Sequence, residues 1–276
     1  MNFKIICDSS SDLKTNYLEG KNIKFDVIPL IIRVDNYEFI DDDNLNVNTM
    51  LEASENSKNV SRSSCPSPND FLKAIDDECF NFIVTISKKL SGSYNSAVLA
   101  KSMSKNNENV FVIDDKGTAG NGILIVDKLV EFIEKNMSFA EICEKIIDFR
   151  DSINLLFALN KFDNLVKNGR MSKVTAFIAN LASIRPLCYA ENGEIKIKEK
   201  IRTFNGVLKR LVFNIGKMCS DQSERTCIIA HTLNQNDAIE LKKNIEENYN
   251  FKEVRIVENT GLCSFYSLKG GIIVSF

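Results

Sequence analysis

Residues 90–97 read Leu-Ser-Gly-Ser-Tyr-Asn-Ser-Ala, directly downstream of a β-branched run that ends at Ser87. Small hydroxyls and a glycine therefore stand where a strand hands over to a helix. Three kinds of chemistry use such a turn: a serine nucleophile, a phosphate cradle, or a grip on another anion. A nucleophile such as Ser93 or Cys65 needs a base, and the chain has one histidine, His231, far downstream at the end of another β-branched run. The order Ser-Gly-Ser-Tyr-Asn also differs from the Gly-x-Ser-x-Gly elbow. The glycines Gly117, Gly120 and Gly122 match neither the dinucleotide fingerprint nor a Walker loop. They read as a tight strand-to-helix turn. Asp114 and Asp115 just before them suit capping or backbone amides rather than paired acid–base work. What remains is anion holding by neutral donors. Ser63 and Ser64, Ser91 and Ser93 supply hydroxyls, and Arg170 supplies a cation beside a turn glycine.

The elements that must position these groups follow from pattern. Phe3–Asp8, Asn81–Ser87 and Asn109–Asp115 are short apolar runs, each followed by a polar loop. Helical spacing covers 47–56, 92–105 and 123–135, with another helix at 71–78 for which Asp70 is a candidate cap. Strand and helix alternate, which gives an α/β fold with a largely parallel first sheet. Ligands of such sheets bind beyond the carboxyl ends of the strands, where four polar loops converge. The pattern changes near residue 155, so two α/β domains are expected, 1–155 and 156–276, with a ligand cleft between them. In the second, 185–202 reads as a hairpin about Asn192-Gly193. The stretch 161–184 reads as mostly helical and 61–70 as a turn-rich loop.

Composition bounds the partners. Hydrophobic residues make 44% of 276 and the net charge is −2, so no overall basic field points to nucleic acid. Eight cysteines without a Cys-x-x-Cys pair, and one histidine, make a metal site unexpected; most of the thiols suit burial as small hydrophobes. No apolar run reaches the roughly 18 residues of a transmembrane segment, and Asp8 comes too early for an export signal, so a cytoplasmic protein is expected.

Taken in series, CDSSSDL, VIPL, SSCPSP with Phe71, ISKKLSGSYNSA, VIDDKGTAGNG, LVKNGRMS, IRPL and IKIKEKIR resemble the DegV family of bacterial fatty acid-binding proteins. The resemblance runs in order along nearly the whole chain. It implies a long-chain fatty acid between two domains, with no other cofactor. The carboxylate is held by loop hydroxyls and the tail runs in an apolar tunnel, toward which 123–130, 155–159 and 175–184 are candidates. It also implies a protein that is not itself an enzyme and presents the carboxylate to an ATP-dependent acyl kinase, which makes an acyl-phosphate. By this resemblance Ser63, Ser64, Ser91, Gly92, Ser93 and Arg170 hold the ligand, and Arg202 matches a partner-contact position. The family run His-x-Gly-Pro-Gly near the end is replaced; Asn259, in ENTGLCSFY, is taken for its histidine position and for a ligand-binding amide. Two rivals stay open: a carrier or sensor of another amphipathic acid without a kinase, and a Ser/Cys acyl hydrolase.

Overall fold

Apolar residues on both faces of Phe3–Asp8 (β1) place this strand inside a sheet rather than at a surface. In the computed structural model, which describes residues 2–171 and 184–276, it is flanked by Lys24–Ile28 (β2) and, across three short strands, by Phe80–Thr85 (β6). Val110–Asp114 (β7) completes the sheet, whose order β2-β1-β6-β7 is parallel throughout. Alternation assigns the faces. Ile5, Cys7 and Val84 pack on helices 120–134 (α4) and 139–152 (α5), whereas Ile6 and Ile83 pack on 68–74 (α2) and 93–103 (α3).

The three intervening strands, Ile31–Val34 (β3), Tyr37–Ile40 (β4) and Arg62–Ser64 (β5), form a small antiparallel sheet in the order β4-β3-β5. The turn-rich loop expected at 61–70 thus contains a strand, because Ile32 and Ile31 pair with Ser63 and Ser64. The cap of α2 is Ser67, and Asp70 answers it from the third helical position in a capping box.

The second sheet begins at Leu155–Ala158 (β8) and continues with Arg185–Glu191 (β9), Glu194–Ile201 (β10), Thr226–His231 (β11), Glu253–Glu258 (β12) and Ile272–Ser275 (β13). Its order is β10-β9-β8-β13-β11-β12, and only β11 and β12 run parallel. Helix 163–167 (α6) follows β8. Helices 204–218 (α7) and 235–248 (α8) cover one face through Leu211, Ile215, Leu241 and Ile245. The opposite face carries Leu155, Phe157 and Ile273 inward. The β9–β10 turn is the expected one: Asn192 and Gly193 take φ of 50° and 80°.

Gly261–Ser267 (α9) was not foreseen, being one short helix of small and apolar residues. It returns to the front of the chain, where Phe265 and Leu268 pack on Ile32, Val34, Met50 and Leu51. The tunnel candidates at 175–183 lie outside the described residues. Among the described residues no helix is long and apolar enough to cross a membrane.

Candidate functional site

A cavity of about 280 Å³ lies between the loops after β6 and β7 and the inward face of the second sheet. One wall is polar. β5 brings Ser63 and Ser64 to it and Cys65 follows; the turn before α3 brings Ser91 and Gly92. The two segments sit close here, since a Cβ on Gly92 would stand 3.1 Å from the Cys65 Sγ. Tyr266, from α9, places its hydroxyl 2.8 Å from the Ser63 Oγ. Arg170 completes the wall, with its guanidinium 5.9 Å from the centre of the Tyr266 ring. Gly169, at φ +74°, turns the chain into Arg170. The Arg170 Nε donates to the Leu90 carbonyl at 3.2 Å and Nη1 donates to the Asn168 carbonyl.

Among the described residues Arg170 therefore bonds carbonyls and has no carboxylate partner. A cation on a cavity wall without a counter-ion favours an anionic occupant. Burial raises the pKa of Tyr266, offset in part by the Ser63 bond and by Arg170, so the phenol stays a neutral donor at ordinary pH.

The other wall is apolar: Leu155, Phe157, Leu159, Leu165, Ile195 and Ile273 line it. The β9–β10 turn closes against the loop after β6, with the Ser87 Oγ donating to the Gly193 carbonyl at 2.8 Å. A Cβ on Gly193 would fall 2.4 Å from that Oγ, so this contact requires glycine twice over, for space and for its positive φ.

Five of the site residues read from the sequence meet here: Ser63, Ser64, Ser91, Gly92 and Arg170. Three stand elsewhere. The buried Ser93 donates its hydroxyl to the Asp8 carboxylate at 2.5 Å and does not line the cavity. Asp8 also accepts from Ser10 Oγ and from the Ile86 amide, so it ties the end of β1 to the loops after it and after β6. Burial pushes its pKa up, and those bonds offset part of the shift. Asn259 is buried beside a separate polar pocket and donates to the Thr232 Oγ1 at 2.8 Å. Arg202 is exposed just past the end of β10.

The C-terminal residue that does reach the polar wall is Tyr266, seven positions beyond Asn259. A spacing could have found it. Tyr266 precedes Gly270 by four residues, as the first residue of His-x-Gly-Pro-Gly precedes its last glycine.

Two buried carboxyls pin the helix that carries Tyr266. Asp41 accepts from the amides of Gly261 and Leu262, at 2.5 and 2.9 Å, and Asp12 accepts from the Thr260 amide and hydroxyl, at 2.8 and 3.0 Å. Burial lifts Asp12 to about 7, with a further push from Asp41, and lifts Asp41 to about 6; the bonds from the start of α9 hold both back.

Asp114 and Asp115 serve backbone amides, those of Lys88 and Lys116 for the first and Gly117 for the second. His231 accepts from the Asn234 amide and is not among the residues of this cavity. Six of the eight cysteines are buried, in keeping with packing roles; Cys65 and Cys263 line the cavity. Among the described residues no group of three or more His, Cys, Asp or Glu is placed to hold a metal ion.

A parallel α/β sheet whose strand-end loops share one amphipathic cavity with a mixed second sheet defines a binding-protein architecture. The chain belongs to the DegV family: a model described as "Uncharacterised protein, DegV family" matches residues 2–276. A DegV domain-containing protein of Streptococcus pneumoniae is 34% identical over 280 residues, which is 100% of this chain and 99% of the relative. Among solved structures, a DegV family protein of Ruminococcus gnavus with vaccenic acid superposes with TM-score 0.93 at 27% identity, covering 100% of this chain and 99% of that one. The Fatty Acid Kinase (Fak) B3 protein of Streptococcus pneumoniae, loaded with linoleic acid, has TM-score 0.92 at 33% identity with the same coverage. Members of this family thus bind fatty acids.

Proposed function

We propose that this protein binds a long-chain fatty acid in the cavity and presents its carboxylate to an ATP-dependent acyl kinase. The observation that carries the reading is Arg170, a cavity cation bonded to carbonyls, beside the donors Ser63, Ser64, Ser91 and Tyr266. A carboxylate taken from water needs several such donors. Each hydrogen bond to the charged group contributes roughly 1.5–3 kcal/mol. The apolar wall would take the tail at about 0.8 kcal/mol per buried methylene, on the order of 10 kcal/mol gross for a long chain before ordering is subtracted.

In this reading the chain is a carrier, its parts 1–155 and 156–276 acting as two domains on either side of the ligand. The lining residues include no histidine, so Ser91 and Cys65 have no imidazole base beside them. The likeness to the Fak B3 protein supports the kinase partner, with Arg202 as a contact. Native mass spectrometry of the purified protein, followed by solvent extraction, tests the binding. Near-stoichiometric fatty acid is expected. Ser63→Ala with Tyr266→Phe should weaken retention roughly ten- to a hundredfold, the loss of about one charge-assisted bond, since one of the two hydroxyls donates to the other. A folded wild type that is empty and refuses added fatty acids would overturn the reading.

A further inference from the structure

The polar pocket beside Asn259 is a second cavity, of about 330 Å³, and shares no lining residue with the first. Its volume falls within the range of small-molecule sites. Its exposed lining is acidic: Asp42 and Asp43 come from the loop after β4, and Glu258 ends β12. None of the three makes an ion pair among the described residues. Asp42 accepts from the Asn44 amide and Asp43 from the amide and hydroxyl of Thr15, each through one carboxylate oxygen. The Glu258 side chain makes no hydrogen bond among the described residues. Asp41, also in the lining, is already engaged by the amides of Gly261 and Leu262. Against these four acids the described lining holds one Lys or Arg, Lys14. His231 pairs in register with Glu258, but burial pushes it below the ordinary histidine range, so it is a poor counter-ion.

The buried lining offers an acceptor of its own. Asn259 is 2% exposed, and its Nδ2 is held by Thr232, which does not line the pocket. Its Oδ1, the opposite corner of the planar amide, has no partner among the described residues. A buried carbonyl oxygen without a donor is costly, and nearly all native ones find one. Leu13, Leu45 and Leu233 add apolar wall. The acids are too dispersed for a metal: among the described residues no three of His, Cys, Asp and Glu are placed to hold one. They suit a cation that carries its charge at more than one point. We propose that this pocket binds a short alkyl diamine in its diammonium form. One ammonium, with three N–H donors, supplies the Asn259 Oδ1; the other meets Asp42, Asp43 and Glu258; the methylenes lie on the leucines.

The test is titration calorimetry of putrescine into the full chain as purified, at low salt. One saturable site is expected. 1-Butylamine, with one charge, should bind more weakly, and 1,4-butanediol, which keeps the length and loses both charges, should not bind. Asp42→Asn with Glu258→Gln removes two exposed charges and should weaken putrescine about tenfold without moving the melting temperature. Asn259→Leu removes the buried oxygen and should weaken it by at least as much, the loss of one charge-assisted bond. If Asn259→Leu fails to fold, the exposed pair decides. Added salt should weaken putrescine binding to the wild type. No saturable binding of putrescine, equal binding of butanediol, or wild-type affinity in the exposed double variant would each overturn the proposal. Calcium chloride that saturates the same site and displaces putrescine would make it a metal site, and the diamine assignment would be wrong.

Discussion

The polar wall of the cavity is drawn from loops of the first half together with Arg170 and Tyr266, while the apolar wall is drawn from the inner face of the second sheet. The first is specified by a few donors in fixed places: a larger residue at Gly92 would press on the Cys65 thiol, and one at Gly193 would push the Ser87 hydroxyl out of line. The second is specified by bulk, and any set of apolar side chains of suitable volume could serve. The walls meet at α9, which gives Tyr266 to one and Cys263 to the other and hangs by its first turn from Asp12 and Asp41. In the proposed reading, affinity belongs mainly to the apolar wall and orientation to the polar one, and α9 keeps the two in register.

The sharpest way to strain that arrangement is to change the charge under α9. A carboxyl with a folded pKa above its unfolded value binds its proton more tightly when folded. Its favourable contribution is complete below the unfolded pKa and is lost as pH rises through the folded one. For Asp12 and Asp41 the window runs from about 4 to about 7. Asp12→Asn with Asp41→Asn should therefore gain stability relative to the wild type across that window, by on the order of 7 kcal/mol for the two carboxyls together. Urea unfolding at a series of pH values measures it. A constant difference between the two proteins would mean that these carboxyls do not titrate in the folded state as their burial implies.

A smaller effect is expected from filling the cavity. Ala190 lines it, and Ala190→Trp should displace about three methylenes of ligand, near 2.4 kcal/mol or about fiftyfold in retention of palmitate. Octanoate, which needs less of the space, should lose less in titration calorimetry. Equal losses for the two acids would place the new ring against the head group and would blur the division between the walls.

The polar wall was largely legible in the sequence because its chemistry is carried by residue type in short runs. Ser63, Ser64, Ser91 and Arg170 sit beside turn residues, and their hydroxyls and charge announce themselves. The parallel sheet and the Asn192-Gly193 hairpin were readable for a similar reason, since continuous apolar runs and positive-φ pairs are local signals. The apolar wall was not legible. Phe157 lines the cavity while Leu156, its neighbour on β8, packs against α7 and α8, and only the assembled sheet separates them. Tyr266 was missed because α9 is too short to show a period, and its meeting with Ser63 spans 203 residues. Ser93 was overread for the opposite reason: its type matched a donor, but the turn before α3 aims it at Asp8.

Ser93 and Ser91 therefore offer the finest test of the comparison, two hydroxyls two residues apart with different duties. Ser93→Ala removes one of the donors to a buried carboxylate, with Ser10 and Ile86 left to hold Asp8. The loss should be about 1–2 kcal/mol. That lowers the melting temperature by a few degrees in a chain of this size. Fatty acid content should not change, because the hydroxyl bonds Asp8 and does not line the cavity. Ser91→Ala should show the reverse, a melting temperature within about one degree of the wild type and a measurable drop in retained lipid. Should Ser93→Ala strip the lipid without lowering the melting temperature, Asp8 would need to release Ser93 when ligand arrives. The polar wall would then extend one layer deeper than the hydroxyls that line it.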